Sequence, residues 1–179
     1  LKKIGQPVGR CLLLTLQDQS IRESYLVGGH THFSRMAPLT DSSIAGIARS
    51  FAAEAGKLHQ YLIGQRQIGR DETLPVFIVA HPLSIPAIEN ACPENGQLAF
   101  TIIDSHAAAA QLKLHTLPED NRSDPLFLHL LAIAPPRQQF AGEAPRHHYR
   151  LAQIRHGLIA AGLVALLGGS LYAAKNTFD

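Results

Sequence analysis

From Gly157 to Ala174 the chain reads GLIAAGLVALLGGSLYAA, 18 residues without a formal charge. At about 1.5 Å per residue such a helix is about 27 Å long, close to the ~30 Å hydrocarbon core of a bilayer, and a neutral His156 can extend it. The core helix of a soluble domain keeps a polar edge. Here the polar content is Ser170, whose hydroxyl can bond its own helix backbone. The sequence therefore predicts a single transmembrane helix over residues 157–175. A secretory signal is a poor alternative so far along a chain. Gly157, Ala161, Ala165, Gly169 and Ala173 recur every fourth residue. They form a stripe of small side chains of the kind that lets two membrane helices approach closely.

Charge gives this span an orientation. The preceding stretch, PPRQQFAGEAPRHHYRLAQIRH, holds Arg137, Arg146, Arg150 and Arg155 against the single acid Glu143, whereas only Lys175 and Asp179 follow the span. Positive flanks stay in the cytoplasm, so residues before about 155 are expected there. Arg146, Arg150 and Arg155 are expected to touch anionic headgroups. Nucleic-acid binding is a weaker account of the same basic run, because it abuts the span and lacks an aromatic ladder. A net charge of +2 on 179 residues gives no sign of a dedicated polyanion binder. Cys11 and Cys92 stand far apart, which suits reduced thiols in a cytosolic setting. The first residue is Leu1 rather than Met, and the chain is expected to be a piece of a longer protein.

The first 135 residues predict one α/β domain, with residues 136–156 as a basic juxtamembrane linker. CLLLTL, IRESYLV and THFSRM read as three strands, joined by a QDQS turn and a Gly28-Gly29 hairpin. In the second strand Ile21, Tyr25 and Val27 fall on one face. TDSS supplies capping residues for a long helix from about Ser42 to Gln67, with Ile44, Ile47, Ala48, Phe51, Ala55, Leu58 and Leu62 at helical spacing. LPVFIVA is a continuous apolar strand, suited to a sheet covered on both faces. SIPAIENA reads as a short helix, GQLAFTIID as a strand, and SHAAAAQLKL and DPLFLHLLAIA as two further helices. The expected order is βββαβαβαα on a mixed sheet.

That order, with YLVGGHTHFSRMAPL and IARSFAAEAGKLHQYLIGQRQI within it, resembles the second half of an actin-like (ribonuclease H-like) domain. It is similar to the cytoplasmic actin-like proteins of type IV pilus and type II secretion systems. In the secretion branch one membrane helix follows the domain. The resemblance covers about residues 10 to 175. It implies a bacterial inner-membrane assembly or adaptor protein that links a cytoplasmic motor ATPase to the membrane platform, as part of a homo- or hetero-oligomer.

The resemblance also implies an ATP site, and the residues depart from it. The family's Asp-X-Gly phosphate turn corresponds to LTLQDQSIRES, where Asp18 is followed by Gln19 and Ser20 with no glycine. Side chains there hinder close backbone approach to phosphate. The Gly-Gly adenosine turn corresponds to FIVAHPLS, where His81 and Pro82 stand instead, and proline offers no N–H. A degenerate scaffold without catalysis, cofactor or nucleic-acid partner is therefore expected. The alternatives are a nucleotide-binding actin-like ATPase and an unrelated single-span α/β domain.

Other chemistry is thinner. His30 with His32, and the His147-His148 doublet, have metal-like spacing but no cysteine or acidic third ligand, so no metal is expected. No G-x-S-x-G nucleophile motif is present. Cys92 has no neighbour that would activate a thiolate. Glu54 and Lys57 read as an ordinary i, i+3 helix-surface pair, and Asp104 as an N-cap for the helix that begins at Ser105.

Overall fold

A computed structural model of the chain describes residues 1–7, 9–93, 96–135 and 143–178; the side chains of 143–150 and 171–178 lie outside that description. The chain divides into two compact units, Leu1–Pro135 and Pro136–Asp179.

The first unit is an α/β layer structure. Strands β1 (Arg10–Gln17), β2 (Ser20–Val27) and β3 (His30–Pro38) form an antiparallel meander. Gly28 and Gly29 take φ of 58° and 84° in the β2–β3 turn. Two consecutive positive φ values match the twist of a two-residue hairpin and favour glycine at both positions. Helix α1 (Ile44–Gly64) leads to β4 (Leu74–Ala80), helix α2 (Ile85–Ala91), β5 (Leu98–Asp104) and helices α3 (Ser105–Gln111) and α4 (Asp124–Ile133). Sheet order is β3-β2-β1-β4-β5, and β1, β4 and β5 run parallel.

Alternation along the strands divides the core between the two sheet faces. Leu12, Leu14 and Leu16 of β1 join Val76 and Ile78 of β4 beneath α1, against Phe51, Leu58 and Leu62. Cys11, Phe77, Val79 and Ile103 face the opposite way, with Ala108, Ala109, Leu112 and Leu126 of α3 and α4. A strand covered on both faces has no polar side, which is why LPVFIVA shows no alternation.

Helix α1 is shorter than the expected Ser42–Gln67. Ser43 is its N-cap, its hydroxyl accepting the Gly46 N–H at 3.0 Å. Asp41 lies so close to Gly46 that a Cβ there would collide with its carboxyl group. At the other end Arg66, at φ 56°, turns the chain out of helical geometry.

The second unit is one helix, α5 (Glu143–Phe178). It starts inside the segment expected as a linker. Among the described residues, its apolar stretch long enough to cross a membrane is Leu151–Ser170, 20 residues, which overlaps the expected 157–175. All side chains described there are exposed, Leu158, Val164 and Leu166 at about 70%. Two polar side chains within it bond their own helix backbone: Ser170 donates to the Leu167 carbonyl at 2.9 Å, and a His156 ring nitrogen lies 2.7 Å from the Ala152 carbonyl.

Candidate functional site: the carboxyl edge of the parallel strands

In open α/β sheets, ligands bind outside the carboxyl ends of the parallel strands. Here β1, β4 and β5 end at Gln17, Ala80 and Asp104, and the next residues are the turns that the sequence singled out.

At the end of β1, Asp18 takes φ 54°, a left-handed conformation that aspartate tolerates better than most residues. Its backbone N–H, the group a phosphate-binding turn would offer to its ligand, donates to Asp124 Oδ2 at 3.3 Å. At the end of β4, the His81 N–H donates to Asn121 Oδ1 at 2.9 Å. His81 Nδ1 accepts the Leu83 N–H at 3.3 Å and so caps the turn Pro82–Ser84. At the end of β5, Asp104 Oδ1 accepts the N–H groups of His106 and Ala107 at 2.7 and 3.3 Å. Asp104 is thus the helix cap the sequence suggested.

The segment before α4 fills what remains. Leu16 pairs with Ile21 on one side and forms a parallel bridge to Arg122 on the other, the side on which β4 lies further back. The Ser123 N–H donates to the Leu16 carbonyl at 2.8 Å. Asn121 is buried, and its Nδ2 donates to the buried Ser84 Oγ at 2.7 Å. One side chain therefore satisfies a strand-end N–H and a buried hydroxyl together. His106 Nε2 lies 2.9 Å from the Pro118 carbonyl, and its ring meets His81 edge-on at 4.7 Å. The crevice between β1 and β4 is closed by the chain's own residues 121–123.

Outside this plug lies a cleft of about 520 Å³, lined by Asp18, Leu114, Leu117, Glu119, Arg122, Asp124 and Leu128 among others. Arg122 is committed to Asp120, Nε to Oδ2 at 2.7 Å. The acids of the rim outnumber this one arginine.

No protein-family model matches the chain, and no curated protein matches it. Among solved structures, the actin-like filament protein AlfA, in its filament bound to AMPPNP, is similar at a TM-score of 0.38 and 14% identity over 73% of this chain. The chain spans 41% of that protein's length. A likeness at that level carries no argument about the site.

The other candidates fare differently. Gly157, Ala161, Ala165 and Gly169 lie exposed on α5, and a Cβ added at Gly157 or Gly169 would meet open space. Arg155 is exposed on the same helix; the side chains of Arg146, Arg150, Ala173, His147 and His148 lie outside the described residues. Among the described residues no three His, Cys, Asp or Glu side chains come together as a metal site. Cys92 is buried, which pushes its thiol up to about 11, and burial raises Cys11 as well. Neither is an activated thiolate.

Glu54 and Lys57 require a correction. Their ion pair exists at 2.6 Å, but Glu54 is only 14% exposed and also accepts from Arg35 at 3.2 Å. Arg35 in turn donates to Glu23 Oε2 at 2.9 Å. Glu23 is fully buried, with Oε1 unpartnered. Burial pushes its pKa up to about 7 against the pull of Arg35, with Glu54 adding to the rise. Burial opposes ionisation of Glu54 too, but Lys57 and Glu23 outweigh it and hold its pKa low. The sequence missed Glu23, Arg35, His106 and Asn121. Only Glu23 left a signal, as an acid at the centre of the apolar face Ile21–Tyr25–Val27.

Proposed function

We propose that this chain belongs to a membrane-anchored assembly or adaptor protein of a type IV pilus or type II secretion system. It joins a cytoplasmic motor ATPase to the inner-membrane platform and performs no catalysis itself. One observation carries the non-catalytic part: residues 121–123 occupy the crevice between β1 and β4 where such a sheet would receive a ligand. The strand-end N–H groups of Asp18 and His81 are consumed by Asp124 and Asn121, and Pro82 has none. The acidic rim opposes a polyphosphate further. Anchoring is supported by the exposed stretch Leu151–Ser170, whose part after His156 is uncharged and apolar on all faces, since such a helix is stable only when covered by protein or lipid. The machine itself is suggested by the sequence resemblance.

Calorimetric titration of the full chain in detergent with magnesium ATP and with AMPPNP tests the first part. No saturable binding and no phosphate release are expected. Micromolar affinity that disappears in Asp18→Ala or His81→Ala would assign the chain to the nucleotide-binding alternative. Co-purification with the motor ATPase of either machine tests the adaptor role, and its absence in both would remove it.

A further inference from the structure

Apart from Asp124 at its start and His129, whose ring Nε2 lies 2.8 Å from the Leu112 carbonyl, helix α4 is apolar, yet among its residues only Leu126 is buried. Leu128 is 66% and Leu131 54% exposed, one turn apart on the helix, and Leu117 across the cleft is 48% exposed. A helix of this composition normally lies inside a core. The lining of the cleft beside it combines leucines and prolines with four acids, Asp18, Glu119, Asp120 and Asp124, and one arginine, Arg122. Asp120 is neutralised by Arg122, and Asp124 holds the Asp18 N–H. The carboxylates of Asp18 and Glu119 have no basic partner among the described residues.

We propose that the groove between residues 114–124 and α4 is a docking site for a short helix of a partner protein that carries leucine-like side chains beside lysine or arginine. Three features select this occupant. The apolar walls reward leucine-like side chains, in the manner of helix-in-groove recognition. The free carboxylates at the rim add attraction for cations and repel acidic segments. A volume of about 520 Å³ holds a few side chains rather than a globular face. The acidic rim also disfavours phosphate ligands, an anionic bilayer surface, and a symmetric second copy that would bring acids against acids. The biological setting of this groove rests on the adaptor role proposed above; its chemistry does not.

The test uses the full chain in an uncharged detergent. The probe is a fluorescent amphipathic peptide of about 14 residues, with leucines at i, i+3, i+4 and i+7 and arginines beside them; its counterpart replaces each arginine by glutamate. Saturable, salt-sensitive binding of the cationic peptide is expected, with little binding of the acidic one. Glu119→Lys and Leu128→Ser should each weaken binding about tenfold or more, while Glu89→Lys on α2 should leave it unchanged. Melting curves confirm that the variants are folded. Equal binding of both peptides, or indifference to both groove variants, would overturn the proposal. So would a concentration-dependent dimer without peptide that Leu128→Ser abolishes, because the face would then belong to a second copy. AMPPNP is titrated into the same samples. Nucleotide binding would remove the non-catalytic scaffold and leave the peptide result standing; loss of peptide binding alone would remove the groove and leave the scaffold.

Discussion

Glu23 is the residue whose environment departs furthest from its sequence context. It lies directly opposite Arg35 in the β2–β3 register, beneath α1, with one oxygen unpartnered. Its folded pKa of about 7 lies above the ordinary 4.5, so the folded state holds a proton that the unfolded chain releases. The resulting contribution to stability is fully present below pH 4.5 and is lost as pH rises through 7. Glu23→Gln removes this dependence while keeping an acceptor for Arg35. Urea denaturation of the two proteins should give similar stability near pH 4.5. The variant should become the more stable by roughly 1–3 kcal/mol above pH 7. Parallel pH profiles would show that Glu23 is ionised throughout. Asn121 makes the opposite kind of contribution, since it satisfies two groups without carrying charge. Asn121→Ala leaves the His81 N–H and the Ser84 hydroxyl without their partner. The expected cost is about 1–3 kcal/mol in the same assay. Ser84→Ala added to it should cost less than the sum of the two single changes, because both act on one hydrogen bond.

Elements were more legible than these contacts. The run LPVFIVA names β4 residue for residue, because seven apolar positions between turn residues leave little else for the chain to do. The hairpin glycines and the Ser43 and Asp104 caps were readable because each acts within three residues of itself. Arg35–Glu54 and His81–Asn121 were not, since they join residues 19 and 40 positions apart and no local pattern encodes them. The extension of α5 back to Glu143 was not legible for a different reason. Hydropathy marks where a helix enters lipid, while the polar residues from Glu143 onward form helix as readily and leave no hydropathy signal. Within α5, the open space around Gly157 and Gly169 means that nothing in the described unit requires glycine there. If the stripe serves helix association, Gly169→Leu should weaken self-association or partner association in a membrane two-helix assay and leave insertion unchanged. Leu167→Ala, on another face, should do much less. Equal effects of the two changes would reduce the stripe to composition.

At the scale of the whole chain, the decisive asymmetry is charge against hydropathy. The stretch Leu151–Ser170 is apolar enough to span a bilayer, and Arg137, Arg146, Arg150 and Arg155 lie before or just inside it, with Lys175 alone beyond. Arg155 sits within the apolar stretch itself. A charged side chain near a helix end can extend along the helix to reach the headgroups, so the hydrocarbon segment is expected to begin after it. Cations resist translocation, and lipids of the cytoplasmic leaflet attract them by about 1 kcal/mol per residue. The α/β unit should therefore lie in the cytoplasm, where an adaptor would meet a motor ATPase. Reporter tags placed before Leu1 and after Asp179 should be reached from opposite sides of the membrane, the second from outside. Changing Arg146, Arg150 and Arg155 to Gln while adding three lysines after Lys175 should move a measurable share of molecules to the reverse orientation. If both tags of the unaltered chain report the same side, α5 does not cross the bilayer, and its apolar stretch must be covered by another protein instead.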